Sequence, residues 1–384
     1  MALSRKQLKF FLPVIDNKIL RDLPDRPGVY RMINAGGIVI YVGKAVSLRQ
    51  RVRSYFTRGD RHADHIFRMA SKVKRIDYTV TGSVLEAAVL EADEIKKLSP
   101  AYNIALRDKN KQMWYASSDL AEYRPEPGNK CTIGPVTTPV VFKVLTIVKN
   151  LITGMKARPA EDIEFLLRMI PARYAEYSAN FEIAWSEFCD QYLTALRGPG
   201  SYGERIVLLG KELWLRDRLA ASVSGGKDGD ENENQNEDTP AKICGNKQPV
   251  LTTPAVIRKA VESRIVYSTW EIRRLRWYSL LAESSLAWTE RVNRKYKRRV
   301  IVVEKGIVTQ GDDLAADRTI PVPPGHWRKR AERQRSLDRS AIDRMKVLTS
   351  EMKRIITSRR WICLRLSPKV IMDRDRIART LKWI

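Results

Sequence analysis

The chain has 384 residues, 43% of them hydrophobic, and its 70 Lys and Arg against 44 Asp and Glu give a net charge of +26. This length favours two or three domains, and the charge indicates a polyphosphate partner, foremost nucleic acid, with an anionic membrane surface as the alternative. No apolar run approaches the roughly 20 residues of a spanning helix and no signal peptide opens the sequence, so we expect a cytoplasmic protein with no membrane partner.

Cysteine and histidine are too sparse to favour zinc, disulfide or histidine-relay chemistry. The four cysteines are widely separated and form no CxxC pair, which is typical of free thiols in a reducing compartment. Among the three histidines, His62 and His65 are close enough for a metal clip. A polar loop or helix start is the more common meaning of that spacing.

After a predicted packing arm over residues 1–20, the chain begins with the pattern of a β-hairpin. Two β-branched runs, Val29 to Ile33 and Ile38 to Val42, flank an Asn-Ala-Gly-Gly turn. Gly43 is expected to end the second strand. Ser47 is a candidate N-cap for a basic amphipathic helix, and Ile76 to Val80 is a third predicted strand.

The next helix carries the most informative residue of the sequence. Ser83 and Glu86 have capping-box spacing, and Pro100 stops a helix that should reach Leu98. Glu91 lies at the centre of its apolar face, which comprises Val84, Ala87, Ala88, Ile95 and Leu98, opposite the polar residues Glu86, Asp93, Lys96 and Lys97. A buried carboxylate needs a partner, and the pattern leaves a structural ion pair and a metal ligand equally open. Asn103 follows in a strand-like run that could return to the same cleft.

The remaining two-thirds of the chain divide into three regions. Residues 116–223 are predicted to be mostly helical, with helices at 140–152, 161–170 and 174–196. Residues 224–250 have the acidic, largely apolar-free composition of a disordered linker. Residues 251–384 are predicted to form a basic α/β domain, with helices at 267–294 and 339–359, a hairpin around Gly306, a strand at 361–366 and a last helix.

A band of basic residues interleaved with Trp and Tyr runs through the start of that last region. We expect nucleic-acid backbone contacts from this band, and its representatives are Arg273, Arg276, Lys295 and Arg298. A solvated helix face is the alternative. The apolar residues of the same helix indicate that some of the Trp side chains are buried.

Six elements, taken in order, resemble the GIY-YIG endonuclease superfamily: Gly28-Val29-Tyr30, Tyr41-Val42-Gly43-Lys44, Arg51, Tyr55, Glu91 and Tyr102-Asn103. Within it, residues 23–30 and 41–45 are most similar to the N-terminal nuclease of the bacterial excision-repair protein UvrC and its short relative Cho. The resemblance covers roughly residues 21–110. It implies an α+β fold over residues 21–115, with a three-stranded antiparallel sheet flanked by helices, before the helical and C-terminal α/β regions.

The resemblance also implies roles for particular residues. Glu91 would hold one Mg²⁺ or Mn²⁺, and Tyr41 or Tyr30 would position or deprotonate the attacking water, with Lys44 lowering the pKa of Tyr41. Arg51 would hold the scissile phosphate. The full expected set is Tyr30, Tyr41, Lys44, Arg51, Tyr55, Glu91 and Asn103, with Arg49 and Arg53 as further DNA contacts. The structural alternatives are core tyrosines, a solvated Lys44 and a surface pair for Arg51.

By the same resemblance, the protein is expected to be a metal-dependent endonuclease that makes a single, 3′-side incision in double-stranded, damaged DNA. UvrB is a candidate partner, with UvrA acting upstream. The iron–sulfur segment, the UvrB-binding hairpin, the second nuclease and the tandem helix-hairpin-helix of UvrC have no counterpart in the sequence. Two alternatives stay open: an inactive GIY-YIG DNA-binding module, and a GIY-YIG nuclease of a mobile element.

Overall fold

The computed structural model of the protein describes residues 17–57, 64–103, 112–128, 130–152, 165, 178–196, 202–223, 253–292, 295–309, 311–315, 318–335, 337–382 and 384. The predictions for His62, for a helix at 161–170 and for the acidic linker at 224–250 lie outside these residues, as does most of the predicted arm. The chain forms two compact units, one of residues 1–111 with 278–382 and the other of residues 112–277 with 383–384. This grouping cuts across the predicted region 251–384.

The first unit begins with a three-stranded antiparallel sheet in the order β2-β1-β3. Its strands are β1 (Gly28–Ile33), β2 (Val39–Ala45) and β3 (Arg75–Val80). The helices around it are α1 (Asn17–Asp22), α2 (Leu48–Thr57), α3 (Asp64–Ala70) and α4 (Val84–Leu98). The α+β architecture predicted for this region is therefore confirmed, and strand β1 lies at its centre.

The two faces of this sheet bury different helices because side chains alternate along a strand. On one face, Tyr30 and Met32 of β1 pack into a core with Leu48 and Val52 of α2. On the other face, Val29 and Val42 pack against Ala87 and Ile95 of α4. The sheet therefore holds α2 and α4 on opposite sides, and side chains near its β2 edge can meet residues of both helices.

Helix α4 begins as the capping pattern predicts. The Ser83 hydroxyl accepts a hydrogen bond from the backbone N–H of Glu86 at 3.1 Å, while the Glu86 carboxylate accepts from the N–H of Gly82 at 2.8 Å. The helix ends at Ser99, which has a left-handed backbone with φ of 47°. The predicted apolar face is buried except at Leu98, which is 41% exposed.

The second half of this unit is a mixed layer of strands and helices. Its sheet has the order β10-β8-β7-β11-β12, with β9 paired to β8. The strands are β7 (Ser284–Val292), β8 (Lys295–Glu304), β9 (Ile307–Val308), β10 (Asp312–Asp313), β11 (Ile362–Arg365) and β12 (Ile371–Met372). The helices are α9 (Arg330–Arg335), α10 (Arg339–Thr357) and α11 (Arg374–Leu381). The predicted hairpin around Gly306 is present, with Val303 opposite Val308.

The prediction of one helix through residue 294 is wrong. A helix ends at Leu281, and β7 follows as a central strand paired with both β8 and β11. Trp288, placed on the basic helix by the sequence pattern, is fully buried in this strand. Pairing with strands from distant parts of the chain decides this conformation, and a local helical pattern does not reveal such partners.

Helix α10 packs against α4, and the polar face of α4 makes the contact. Lys96 pairs with Asp343, and Asp93 Oδ1 lies 2.7 Å from Arg344 Nε. Glu86 Oε1 lies 2.6 Å from Arg299 Nη2 of strand β8. The charges that the helical pattern placed opposite the apolar face therefore form an internal interface.

The second unit combines a small sheet with long helices. Its strands β4 (Trp114–Ser117), β5 (Tyr123–Arg124) and β6 (Cys131–Val136) have the order β5-β4-β6. Helices α5 (Val140–Ile152), α6 (Ser178–Leu196), α7 (Tyr202–Val223) and α8 (Pro254–Leu281) follow in the chain, and α8 ends in the first unit. In chain order α8 precedes β7, and α9 to α11 come after it. None of the described helices has the length and apolar character needed to cross a bilayer.

Candidate active site

Three tyrosines from three elements form one cluster at the edge of the N-terminal sheet. The ring centroids of Tyr30 and Tyr41 lie 6.1 Å apart, those of Tyr30 and Tyr55 lie 6.0 Å apart, and those of Tyr41 and Tyr55 lie 6.2 Å apart. The hydroxyls of Tyr30 and Tyr55 are hydrogen-bonded at 2.8 Å. Tyr30 and Tyr55 are buried and Tyr41 is half-buried, so the cluster is a fixed wall with one ring towards solvent.

Gly43 makes this arrangement possible. It lies inside β2, opposite Tyr30 of β1, and the strand continues to Ala45, so the prediction that Gly43 ends the strand is wrong. A Cβ atom at Gly43 would lie 2.4 Å from the Tyr30 hydroxyl oxygen and 2.9 Å from the Tyr41 ring. The glycine is needed because the two rings pass over its Cα, and not because of its backbone freedom.

The tyrosine cluster forms one side of an open cleft of about 1040 Å³. Arg51, an exposed residue of α2, lines this cleft, and its guanidinium carbon lies 5.0 Å from the centre of the Tyr55 ring. A cation–π contact of this kind holds a guanidinium against a ring, and the guanidinium carries five N–H donors. The arrangement suits binding of an anion such as a phosphate.

Glu91 enters the same cleft from α4. Its Oε1 accepts a hydrogen bond from the backbone N–H of Lys44 at 2.9 Å, and its side chain lines the cleft with Tyr30 and Tyr41. Burial raises the pKa of Glu91, and the positive charge of Lys44 opposes that rise. Within the described part of the chain, no Lys or Arg side chain forms an ion pair with Glu91. Among the described residues, the structural ion pair with arginine, one of the two sequence alternatives, is therefore not formed.

Lys44 reaches a partner that the sequence did not indicate. Its Nζ lies 2.7 Å from Oε1 of Glu351, a buried residue of α10. Lys44 lines the cleft and its side chain is 39% exposed, whereas that of Glu351 is 6% exposed. The alternative of a simply solvated lysine is not what the structure shows, because the ammonium group pairs with a carboxylate 307 residues further along the chain.

Asn103 supports the cleft from behind. Its Oδ1 accepts from the N–H of Val42 at 2.9 Å, and its Nδ2 donates to the Val42 carbonyl at 2.8 Å. Both ends of the buried amide are therefore occupied by the backbone of β2. This pairing fixes the strand between Tyr41 and Lys44, so the structure places Asn103 behind the site and not among the groups that face the cleft.

Burial dominates the protonation of the tyrosines. The pKa of Tyr30 is raised well above its usual value by burial and by the neighbouring Tyr41 and Tyr55. The pKa of Tyr41 is raised first by burial, then by Tyr55 and the charge of Glu91, while Arg51 acts in the opposite direction. The expected lowering of the Tyr41 pKa by Lys44 is not found. The protein residues alone keep both hydroxyls protonated at neutral pH.

The donor set fits one hard divalent cation. Glu91 supplies a carboxylate on the wall of a cleft wide enough for a hydrated ion, and Mg²⁺ keeps several of its own waters when a site offers one carboxylate. The described residues contain no group of three or more His, Cys, Asp or Glu placed to hold a metal. A site built from three or more such ligands is thus absent there, and a single-carboxylate site matches what Glu91 provides.

The predicted DNA contacts occupy different environments. Arg53 is exposed and lines the cleft, whereas Arg49 donates from Nε to the carbonyl of Leu23 at 2.6 Å and so also stabilises the fold. Lys295 and Arg298 are exposed on β8, where Arg298 lies 5.0 Å from the centre of the Trp361 ring. In the second unit, Arg273 and Arg276 are half-buried on α8, and burial lowers the pKa of Arg273.

Comparison with known proteins agrees with the geometry. The protein-family model described as the UvrC-like GIY-YIG domain matches residues 26–104 of this chain. A UvrABC system protein C of Clostridium botulinum strain Langeland is 34% identical over 200 residues, covering 47% of this chain and 31% of the relative. The UvrABC system protein C of Clostridium perfringens strain SM101 is 51% identical over 89 residues, which cover 23% of this chain and 14% of that relative. The chain thus spans less than a third of the length of these curated relatives.

Among solved structures, the N-terminal GIY-YIG endonuclease domain of UvrC from Thermotoga maritima, bound to magnesium as its catalytic divalent cation, is 36% identical. The match covers 23% of this chain and 94% of that domain, with a TM-score of 0.21. The sequence matches fall on the residues that build the cleft, and each of the predicted residues from Tyr30 to Asn103 lies between residues 26 and 104. This chain therefore carries a UvrC-like GIY-YIG domain over residues 26–104.

Proposed function

We propose that the protein is a metal-dependent DNA endonuclease that makes one incision in damaged DNA during nucleotide excision repair. One observation carries the proposal. Tyr30, Tyr41, Arg51 and Glu91 come from four different elements and line a single open cleft, together with Lys44. A carboxylate, phenolic hydroxyls and cations on one surface are the groups that phosphodiester hydrolysis needs.

A bound Mg²⁺ or Mn²⁺ would supply Lewis-acid stabilisation of the charge that develops on the phosphate, with Glu91 as the residue that holds it. Arg51, whose guanidinium lies 5.0 Å from the centre of the Tyr55 ring, would bind a non-bridging oxygen of the scissile phosphate. Tyr41, the most exposed ring of the cluster, would position the attacking water, and Tyr30 would hold the cluster through its bond to Tyr55. Because both pKa values are raised, these hydroxyls serve as positioned donors unless the bound cation assists their ionisation.

Double-stranded DNA is the substrate that the charge distribution favours. The net charge of +26 gives a long-range attraction to phosphates, and Arg51 and Arg53 concentrate it at the cleft. On β8, Lys295 and Arg298 would contact the backbone further along the duplex. Arg273 and Arg276 are proposed as contacts of the second unit. A cytoplasmic location follows from a chromosomal DNA substrate.

A role in excision repair rests on the identity with UvrABC system protein C, which extends over 200 residues in the Clostridium botulinum relatives. The incision would lie 3′ to the lesion, and UvrB would be the partner that presents the damaged DNA. Loss of catalysis and a mobile-element role are the competing functions. The convergence of Tyr41, Arg51 and Glu91 on one cleft supports activity, and the identity with UvrABC system protein C supports a role in repair.

Nicking of supercoiled plasmid separates these functions. We expect Mg²⁺-dependent conversion of ultraviolet-irradiated plasmid to the open circle, with far less conversion of undamaged plasmid, and acceleration by UvrA and UvrB. Binding without nicking at any Mg²⁺ or Mn²⁺ concentration would identify an inactive module. Efficient nicking of undamaged plasmid at one sequence, unaffected by UvrB, would identify a mobile-element nuclease.

A further inference from the structure

The C-terminal half of the first unit contributes a charged side chain to the edge of the nuclease cleft. Glu351 lies on α10, the helix that packs against α4, and its Oε1 is 2.7 Å from Lys44 Nζ. The other carboxylate oxygen, Oε2, lies 2.6 Å from Nε of Arg354, one turn along the same helix. Each oxygen of Glu351 therefore has its own cationic partner.

Burial restricts the movement of the Glu351 carboxylate. The Glu351 side chain is 6% exposed, so removing its charge partners would leave a desolvated anion. Arg354, on the same helix, pairs with its other oxygen. Lysine has a flexible four-carbon stem with many rotamers, so a fixed anion at its tip removes much of the freedom of the ammonium group. Of the two partners, Lys44 is the one whose position Glu351 determines.

The backbone of the same lysine contacts Glu91, the proposed metal-binding residue. The backbone N–H of Lys44 donates to Glu91, while the ammonium group is held by Glu351. Helices α4 and α10 thus hold Lys44 from two directions. Asp93 of α4 also pairs with Arg344 of α10, which joins the two helices independently of Lys44.

We propose that Glu351 is a positioning residue of the nuclease, which fixes the Lys44 ammonium at the edge of the cleft where the phosphate charge develops. The inference rests on the proposed function of the cleft. It assigns residues 278–382 a part in catalysis through Lys44, in addition to any contact with DNA. A displacement of a reacting or stabilising group by about 1 Å can cost about 100-fold in rate, which gives the scale of the expected effect.

The test compares Glu351→Gln with Asp343→Asn. Both acids are buried on α10 and both pair with a lysine, but Asp343 pairs with Lys96 outside the cleft. We expect Glu351→Gln to lower the single-turnover nicking rate by about 10- to 100-fold, with the affinity for DNA within about twofold. Asp343→Asn should lower the melting temperature as much as Glu351→Gln does, but it should retain the wild-type nicking rate. Equal rates for the two variants, or a faster Glu351→Gln enzyme, would overturn the proposal.

A double-mutant cycle assigns the effect to the contact itself. If Glu351 acts through Lys44, then Glu351→Gln should lower the rate no further in a Lys44→Met background. Full additivity of the two losses would show that Glu351 acts elsewhere. A folded state is checked for each variant by the cooperativity of its thermal transition.

A second readout does not depend on nicking. Acylation of lysine amines by an activated ester, followed by peptide mass spectrometry, compares Lys44 with the exposed Lys74 as an internal reference. We expect Lys44 to react several-fold faster in Glu351→Gln than in the wild type, and unchanged in Asp343→Asn. If the wild type does not nick DNA, this change still reports the positioning contact. If Lys44 is equally reactive in all three proteins, the contact does not hold the lysine and the inference is wrong.

Discussion

Each of the two units contains a cluster of tyrosine, arginine and glutamate, and the two clusters differ in how their charges are used. In the second unit, Glu262 is buried, accepts a hydrogen bond from Tyr192 at 3.1 Å and forms an ion pair with Arg216. In the first unit, Arg51 stacks on Tyr55 and does not pair with Glu91, whose Oε1 accepts a backbone N–H. The same residue types therefore form a closed ion pair in one place and an open cleft in the other.

The difference lies in what the backbone and the other cations do. At Glu262 the arginine and the tyrosine satisfy the carboxylate directly, so nothing is left to bind a ligand. At Glu91 the ammonium group of Lys44, whose charge acts on this carboxylate, is bound to Glu351. Burial raises the pKa of Glu91, and a cation bound to its carboxylate would lower that pKa again. Residue composition does not distinguish the two clusters, whereas the pairing of each charge does.

Replacing the two glutamates should give opposite outcomes, and this is the largest effect we expect. Glu91→Gln keeps an oxygen for the Lys44 N–H but removes the charge that would hold the cation, so nicking should fall on the order of 10³-fold or more. Glu262→Gln removes half of a buried ion pair and should cost about 1–3 kcal/mol of unfolding free energy with little change in nicking. Plasmid nicking and urea unfolding of both variants measure this. Loss of nicking in both, or in neither, would remove the distinction between the clusters.

Metal removal should affect only the open cluster. Because protein contacts alone hold the tyrosines and β2, a chelator should stop nicking reversibly without unfolding the chain. Added Mg²⁺ at about 100 times its dissociation constant should stabilise the wild type by about 2.7 kcal/mol and leave Glu91→Gln unchanged. Thermal melting across a magnesium titration tests this. Equal stabilisation of both proteins would place the ion away from Glu91.

Removing single hydroxyls should separate the clusters again, with a smaller effect. Tyr41→Phe deletes the hydroxyl proposed to position water and should lower the nicking rate on the order of 10²-fold. Tyr192→Phe deletes a hydroxyl that is bonded to Glu262 and should leave the rate unchanged. Single-turnover rates at saturating protein compare the two. If Tyr41→Phe nicked DNA at the wild-type rate, Tyr30 or Tyr55 would be the residue that positions the water.

Local pattern predicted the N-terminal region well, because its elements are formed by residues close in sequence. The capping box at Ser83 and the apolar face around Glu91 are confirmed, and the three strands follow from β-branched runs. The role of Gly43 was missed, since it depends on a ring that crosses from the neighbouring strand. Nothing in the local sequence of α10 distinguishes Glu351, because its partner is 307 residues away.

The C-terminal region was less predictable for a related reason. Pairing with β8 and β11 determines the conformation of strand β7. The local sequence pattern does not contain this information, and it therefore predicts a helix that continues past Leu281, where the helix ends in the structure. The pattern placed Asp93 and Lys96 on the polar face of α4, and the structure shows that they contact α10. An amphipathic pattern locates a polar face, but it does not say whether water or another charged helix covers that face.

The smallest effect should come from the residue that supports the open cluster from behind. Asn103→Ala leaves both the N–H and the carbonyl of Val42 buried without partners, which should cost about 1–3 kcal/mol of unfolding free energy. Nicking should fall about tenfold, because β2 carries both Tyr41 and Lys44 and loosens as a unit. Asn34→Ala is the matched control, since it removes an exposed turn contact to the N–H of Ile38 and should cost only a few tenths of a kcal/mol. If Asn103→Ala abolished nicking while unfolding like the wild type, Asn103 would act in the chemistry directly, and the cleft would extend behind the strand.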